Sequence, residues 1–199
     1  MAEVALPEFL CRQRWYPAKD AGKPGVKLSA LLRLPISGLA GAIAVWRVTP
    51  SGNTPMHLFV PLALVPAQAA EAAQRIAELP VRDSDDGQEM WIVEAFSVDA
   101  FVAAWIDLLL RNGEEARGPV RLRTGSTALL ARAGLEAGGG WAIRRGNAEQ
   151  SNISIRVGEN SILKVIRKLE SGVHPEVERP AAKSSRWALG LVPRFLSVS

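Results

Sequence analysis

The chain has 199 residues, 48% of them hydrophobic and 22% charged, with a formal net charge of +4. That is enough for one domain or two small ones with a real core, in the balance of an ordinary soluble protein. The single cysteine, Cys11, excludes an internal disulfide and a cysteine-based zinc site, and the two histidines, His57 and His174, lie near no convincing nucleophile, which argues against hydrolase chemistry.

The opening "MAEVALPEFLCRQRWYPAK" lacks a basic segment followed by an unbroken apolar run, so no signal peptide is expected. No run reaches the roughly 18 to 20 apolar residues that span a bilayer. The chain therefore reads as cytoplasmic and off the membrane, and without secretion the glycosylation triplet Asn152-Ile153-Ser154 carries no meaning. Much of the positive excess sits in Arg179–Ser199, which holds Arg179, Lys183, Arg186 and Arg194 and no acid. It is not a basic stripe interleaved with stacking aromatics. The reading is a solvated basic surface, or one made for a missing partner segment, rather than a nucleic-acid platform.

Residues 6–15, "LPEFLCRQRW", suit a short helix, with Pro7 in its first turn, Glu8 at its positive end and Leu6, Phe9 and Leu10 on its apolar side. Strand-like runs follow at Val26–Leu34, Ala40–Val48 and His57–Leu64, the last two separated by the turn cluster "TPSGNTP". His57 reads as a core or edge histidine of its strand. Strand following strand without long crossovers favours antiparallel pairing. "AQAAEAAQRIAEL", residues 67–79, has high helix propensity and is expected to form a short peripheral helix. "EMWIVEAF" reads as a strand. "SVDAFVAAWIDLLLRNG" reads as a helix capped by Ser97, stopped by Gly113 and packed through Phe101 and Trp105.

After "NGEEARGP" the pattern changes, and "LEAGGG" reads as a flexible joint. Three further strands are expected at Trp141–Arg145, Ser151–Val157 and Ser161–Arg167, with Gly158-Glu159-Asn160 turning between the last two. "LESGVHPEVE" leads into a helix start at Pro175. The fold class is α+β: an antiparallel sheet with packed helices over residues 1–113, a connector over 114–140, and a smaller sheet-bearing piece over 141–199.

In "SILKVIRKL", alternation puts Ile162, Lys164 and Ile166 on one face and Leu163, Val165 and Arg167 on the other. A strand lysine can simply snorkel at a sheet edge. Its neighbours offer a second reading. Upstream, the polar turn in "RRGNAEQSNISI" exposes backbone N–H groups of the kind that cradle phosphate oxygens. Downstream, "HPEVE" offers Glu176 and Glu178 at a helix start. A phosphate-covering turn, a strand lysine and a helix glutamate form the front half of a kinase ATP site. The turn is neither a Walker motif nor the glycine-rich loop of protein kinases.

The stretch "EQSNISI…SILKVIRKLESGVHPEVE", together with the opening "LPEFLCRQRWYPAK", resembles the maltokinases, ATP-dependent kinases that phosphorylate maltose at its reducing end. The resemblance implies a cap domain, a sheet with helices packed on it, over residues 1 to about 113, followed by a partial kinase-like N-lobe. It implies ATP and Mg2+ as cofactors and a role in trehalose and glycogen metabolism. It places Gln150, Ser151, Asn152 and Ser154 in the phosphate-side loop, with Ile153 where the family has threonine. It makes Lys164 the nucleotide lysine, and Glu178, with Glu176 in reserve, its partner. Pro180 sits awkwardly for that helix. The last residues, "LVPRFLSVS", faintly resemble the family's next strand.

In that family the catalytic and metal residues lie in an H-G-D-x-H-x-x-Q-like loop and a D-F-E-like segment, and neither string occurs in this chain. The expectation is therefore an N-terminal portion, inactive alone, with no catalytic or metal-binding residue assigned. Its partners would be a kinase C-lobe or a fused or associated trehalose synthase. Two other readings stand beside this one. One is a cap-type interaction or regulatory module that self-associates or binds a partner enzyme. The other is a non-catalytic sugar binder using some of the six tryptophans.

Overall fold

The computed structural model describes residues 1–71, 74–79, 89–111, 114–117, 120–123, 135, 138, 140–146, 152–159, 161–169 and 187–191. These residues form an α+β protein whose sheets are mostly antiparallel. The chain divides into two compact units, Met1–Val102 and Ala103–Ser199.

The first unit is built on β1 (Gly25–Ile36), β2 (Leu39–Thr49), β3 (Met56–Phe59), β4 (Leu62–Pro66), β5 (Arg75–Leu79) and β6 (Met90–Glu94). β1 and β2 form a long hairpin closed by Ser37-Gly38, where Gly38 takes the left-handed φ of +71° that tight hairpin loops favour. The single expected strand His57–Leu64 is in fact two. β3 and β4 lie along the same edge of β2 in one register, Leu58 opposite Trp46 and Leu64 opposite Ala40. Between them Val60 still donates to the Ala44 carbonyl at 3.1 Å. Pro61 has no N–H to continue the ladder, and its carbonyl accepts instead from Ala95 at 2.9 Å. β6 then pairs with β4, and β5 with β6.

Both faces of this sheet are covered, which is why β2 reads as the nearly unbroken apolar run "LAGAIAVW". On one face Ala44, Trp46, Val48, Leu58, Val60, Ile76 and Ala77 cluster with Leu6, Phe9 and Leu10 of α1 (Ala2–Arg12) and with Trp15 and Tyr16. The Trp46 indole donates to the Val60 carbonyl at 3.0 Å, so a large apolar side chain is buried with its one polar atom satisfied. On the other face Phe59, Phe96 and Phe101 form an edge-to-face row, with centroids 6.1 Å and 5.4 Å apart. Gly41 makes room for Phe101, since a Cβ there would lie 3.1 Å from the Phe101 ring and 2.9 Å from Ile36 Cδ1.

Three local expectations are corrected. α1 begins at Ala2, so Pro7 sits inside the helix and Glu3, not Glu8, occupies the first turn. The lost hydrogen bond at Pro7 is offset by burial of Leu6, Phe9 and Leu10, and Glu3 ties the helix down by accepting the Leu28 N–H at 2.8 Å. The described residues of 67–79 form no α-helix. A 3-10 turn, Ala67–Ala69, precedes strand β5, because pairing with β6 and burial of Ile76 and Ala77 outweigh the alanine-rich propensity. Arg75 secures that switch by donating to the carbonyls of Ala70 and Ala67 while its guanidinium lies 4.9 Å from the Trp91 ring centroid. Ser97 does not cap α2 (Asp99–Leu110). It lies in a 3-10 turn and donates to the Glu94 carbonyl at 2.6 Å, leaving the extended Val98 as the residue whose carbonyl accepts the first helical bonds.

The second unit holds the hairpin β7 (Glu114–Arg117) and β8 (Val120–Arg123), followed by β9 (Ile143–Arg145), β10 (Asn152–Val157), β11 (Ser161–Ile166), β12 (Lys168–Leu169) and β13 (Trp187–Leu191). Four of these form a sheet in the order β13-β11-β10-β9. β9, β10 and β11 are antiparallel neighbours, and β13 runs parallel to β11. Gly158 turns between β10 and β11 with φ +60°, and its N–H donates to the Ala142 carbonyl at 2.9 Å. β13 is formed by "WALGL", and all of the expected stretch "LVPRFLSVS" beyond Leu191 lies outside the described residues. Gly113, expected to stop α2, and the helix start at Pro175 lie outside the described residues.

Candidate functional site

Lys164 lies on β11, the second strand of the four-stranded sheet, flanked by β10 and β13. Pairing with β10 sets Leu163 opposite Ile155, Ser161 opposite Val157 and Val165 opposite Ile153. All of these but the half-buried Ile153 are buried, so they form the apolar face of the sheet. Alternation then turns Lys164 to the opposite face, with Ser154 directly across from it on β10 and Gly190 across from it on β13. Lys164 is half-buried and Ser154 exposed. The lysine thus stands on the face opposite the core, between the half-buried Ile162 and the buried Ile166. That satisfies the first requirement for presenting an ammonium group to a ligand.

Of the residues singled out from sequence, Ser154 and Lys164 are brought together as direct cross-strand partners. Asn152 opens β10 opposite Ile166. Ile153 belongs to the apolar face, which gives a packing reason for an isoleucine where the family has threonine. Gln150, Ser151, Glu176 and Glu178 lie outside the described residues, as does His174. His57, read as a core or edge histidine, is exposed on β3 opposite Arg47.

Sequence reading missed two arginines. Arg156 on β10 is opposite Ile162 on one side and opposite Arg144 of β9 on the other. Both arginines are exposed and share the Lys164 face. Their alternation with Ile155 and Val157 was visible, but only strand pairing reveals that they meet. None of the strands β9, β10, β11 and β13 contains an aspartate or glutamate.

Such a face suits the phosphates of a nucleotide: a lysine offers a point charge, arginines offer forked donors, and a serine hydroxyl adds a hydrogen bond. Among the described residues no group of three or more His, Cys, Asp or Glu could hold a metal ion. No metal ligand is assigned.

Two open hollows occur in the first unit. One, of about 650 Å³, runs between α1 and the β5–β6 edge, lined by Val4, Arg12, Glu78 and Trp91. The other, of about 460 Å³, lies by Pro17, Asp20, Asn53 and Met56. Trp15, Trp46 and Trp105 are buried, while Trp91 lines the larger hollow. Among the described residues no helix is long and apolar enough to cross a membrane.

No protein-family model and no curated protein matches the chain. The likeness to maltokinases rests on the two stretches quoted from the sequence.

Proposed function

We propose that this chain is a portion of a maltokinase-like ATP:sugar phosphotransferase, and that its own share of the reaction is to bind the phosphates of ATP on the Lys164 face of the four-stranded sheet. The observation that carries the reading is the placement of Lys164 on the side of β11 opposite the core, directly across from Ser154, with the sheet's other side buried. A lysine serving only to solubilise an edge has no need of an inner strand. In phosphoryl transfer the protein contributes mainly positioning and electrostatic stabilisation, and a strand lysine holding nucleotide phosphates is one recurrent part of that machinery.

The parts that would orient the sugar hydroxyl and hold magnesium are not represented by the family's motifs in these 199 residues. The expected behaviour of this chain alone is nucleotide binding without turnover. Calorimetric titration of ATP with magnesium, beside Lys164→Ala, tests it. Binding by the parent chain that falls at least about tenfold in the variant supports the reading, a lost charge-assisted contact being worth about 1.5–3 kcal/mol. Equal binding by both, or phosphorylation of maltose by the chain alone, overturns it.

A further inference from the structure

We propose that Arg144 and Arg156 extend the Lys164 site into a three-cation cradle that recognises the polyphosphate chain of its ligand, so that the site discriminates nucleotides by the number of phosphates. This rests on the nucleotide reading above and adds residues that no sequence motif pointed to.

The first observation is a local conflict. Arg144 and Arg156 are direct cross-strand partners, and like charges in that position repel. Lys164 lies across from Ser154, two residues along β10 from Arg156, which makes it the diagonal neighbour of that arginine. Neither arginine makes an ion pair among the described residues, where the Lys23–Glu8 pair at 3.4 Å belongs to the first unit. With no acid in the four strands, the repulsion between the two arginines has no counterweight from those strands. A bound polyanion supplies one.

The second observation is geometric. Adjacent strands lie about 4.8 Å apart, so three cations on β9, β10 and β11 span roughly 10 Å across the sheet. Long side chains from that span can converge on one extended anion. The register partners of Ile162 and Lys164 on β13 are Ala188 and Gly190. The opposite face is core, which keeps the cationic face outward. Arginine forks match phosphate oxygens two at a time, and cations spread over three strands can engage successive phosphates of one chain.

The test is titration of ATP, AMP and inorganic tripolyphosphate into the full chain, the double variant Arg144→Gln/Arg156→Gln, and Lys164→Ala. Both arginines are exposed, so the double variant should keep its fold, and circular dichroism checks this. The expected result is that the double variant weakens ATP and tripolyphosphate at least tenfold while AMP changes less than twofold. Its ATP binding also becomes less sensitive to salt, because two of the screened charges are gone. Tripolyphosphate binding as tightly as ATP supports a cradle read through the phosphate chain. If ATP binding survives in the double variant but is lost in Lys164→Ala, the arginine cradle is wrong and the nucleotide reading stands. If neither ATP nor tripolyphosphate binds the parent chain, both fall. Displacement of tripolyphosphate by polyglutamate at equal charge concentration overturns the phosphate assignment in favour of an acidic polypeptide.

Discussion

The two units use β-strands in opposite ways. In the first, the sheet is covered on both faces: Trp46 and its neighbours meet α1, and Phe59, Phe96 and Phe101 meet on the other side. Lys27, Arg33 and Arg47 of β1 and β2 are nevertheless exposed, and Lys27 and Arg47 are direct cross-strand partners, with His57 of β3 across from Arg47 on its other side. In the second, β10 and β11 bury one face and leave the other cationic, with Arg144, Arg156, Ser154 and Lys164 in adjoining register positions. A sheet buried on both sides has no room for ligand chemistry. One buried on a single side leaves the other to polar and charged groups, and on the proposed reading that is where the ligand binds.

The sharpest way to break that contrast is Trp46→Ala. The side chain is 1% exposed and its indole is hydrogen-bonded, so truncation should cost about 3–5 kcal/mol and be read directly as a lower denaturant midpoint. A loss under 1 kcal/mol would mean that the α1-covered face is not the main store of stability. Gly41→Ala should cost about 1–3 kcal/mol through overpacking against Ile36 and Phe101, and the same denaturation experiment checks it.

Tyr16 offers a subtler probe. It is 1% exposed, its hydroxyl has no hydrogen-bond partner, and burial first and the neighbouring Cys11 second raise its pKa above 10.0. The proton is held more tightly in the folded state. The stabilisation is therefore complete below the unfolded value of 10.0 and is lost as pH rises through the higher folded one. Tyr16→Phe should leave stability near neutrality unchanged, or raise it by up to about 1 kcal/mol, and should flatten the alkaline decline. Denaturation midpoints from pH 8 to 11 would show it.

The smallest effect sharpens the comparison from the other side. Arg156→Val removes a charge placed opposite Arg144 and supplies a good strand residue. Stability should rise by about 0.2–1 kcal/mol, measured by thermal melting, while ATP affinity falls. A variant that is both less stable and unaltered in binding would show that Arg156 has a packing role instead.

The strands of the first unit were legible because their alternation and length are local properties. β1, β2, β10 and β11 fall within a few residues of where the pattern placed them. The turn at Gly52 was equally plain from its composition, and its φ is +72°. What failed was decided by distant residues. The alanine-rich segment became β5 because β6 had an edge to pair and Ile76 had a core to enter. α1 ran through Pro7 because three large side chains had somewhere to be buried.

The candidate site divides in the same way. Sequence alone determined that Lys164 sits on a strand, which residues share its side, and that Ser154 lies on the preceding strand, since side-chain direction alternates with period two whatever the rest of the chain does. Only tertiary structure decided which side of β11 is core, that Ser154 and Gly190 flank the lysine, and that Arg144 and Arg156 stand face to face. Register and burial are set by pairing between segments, and no single segment carries that information.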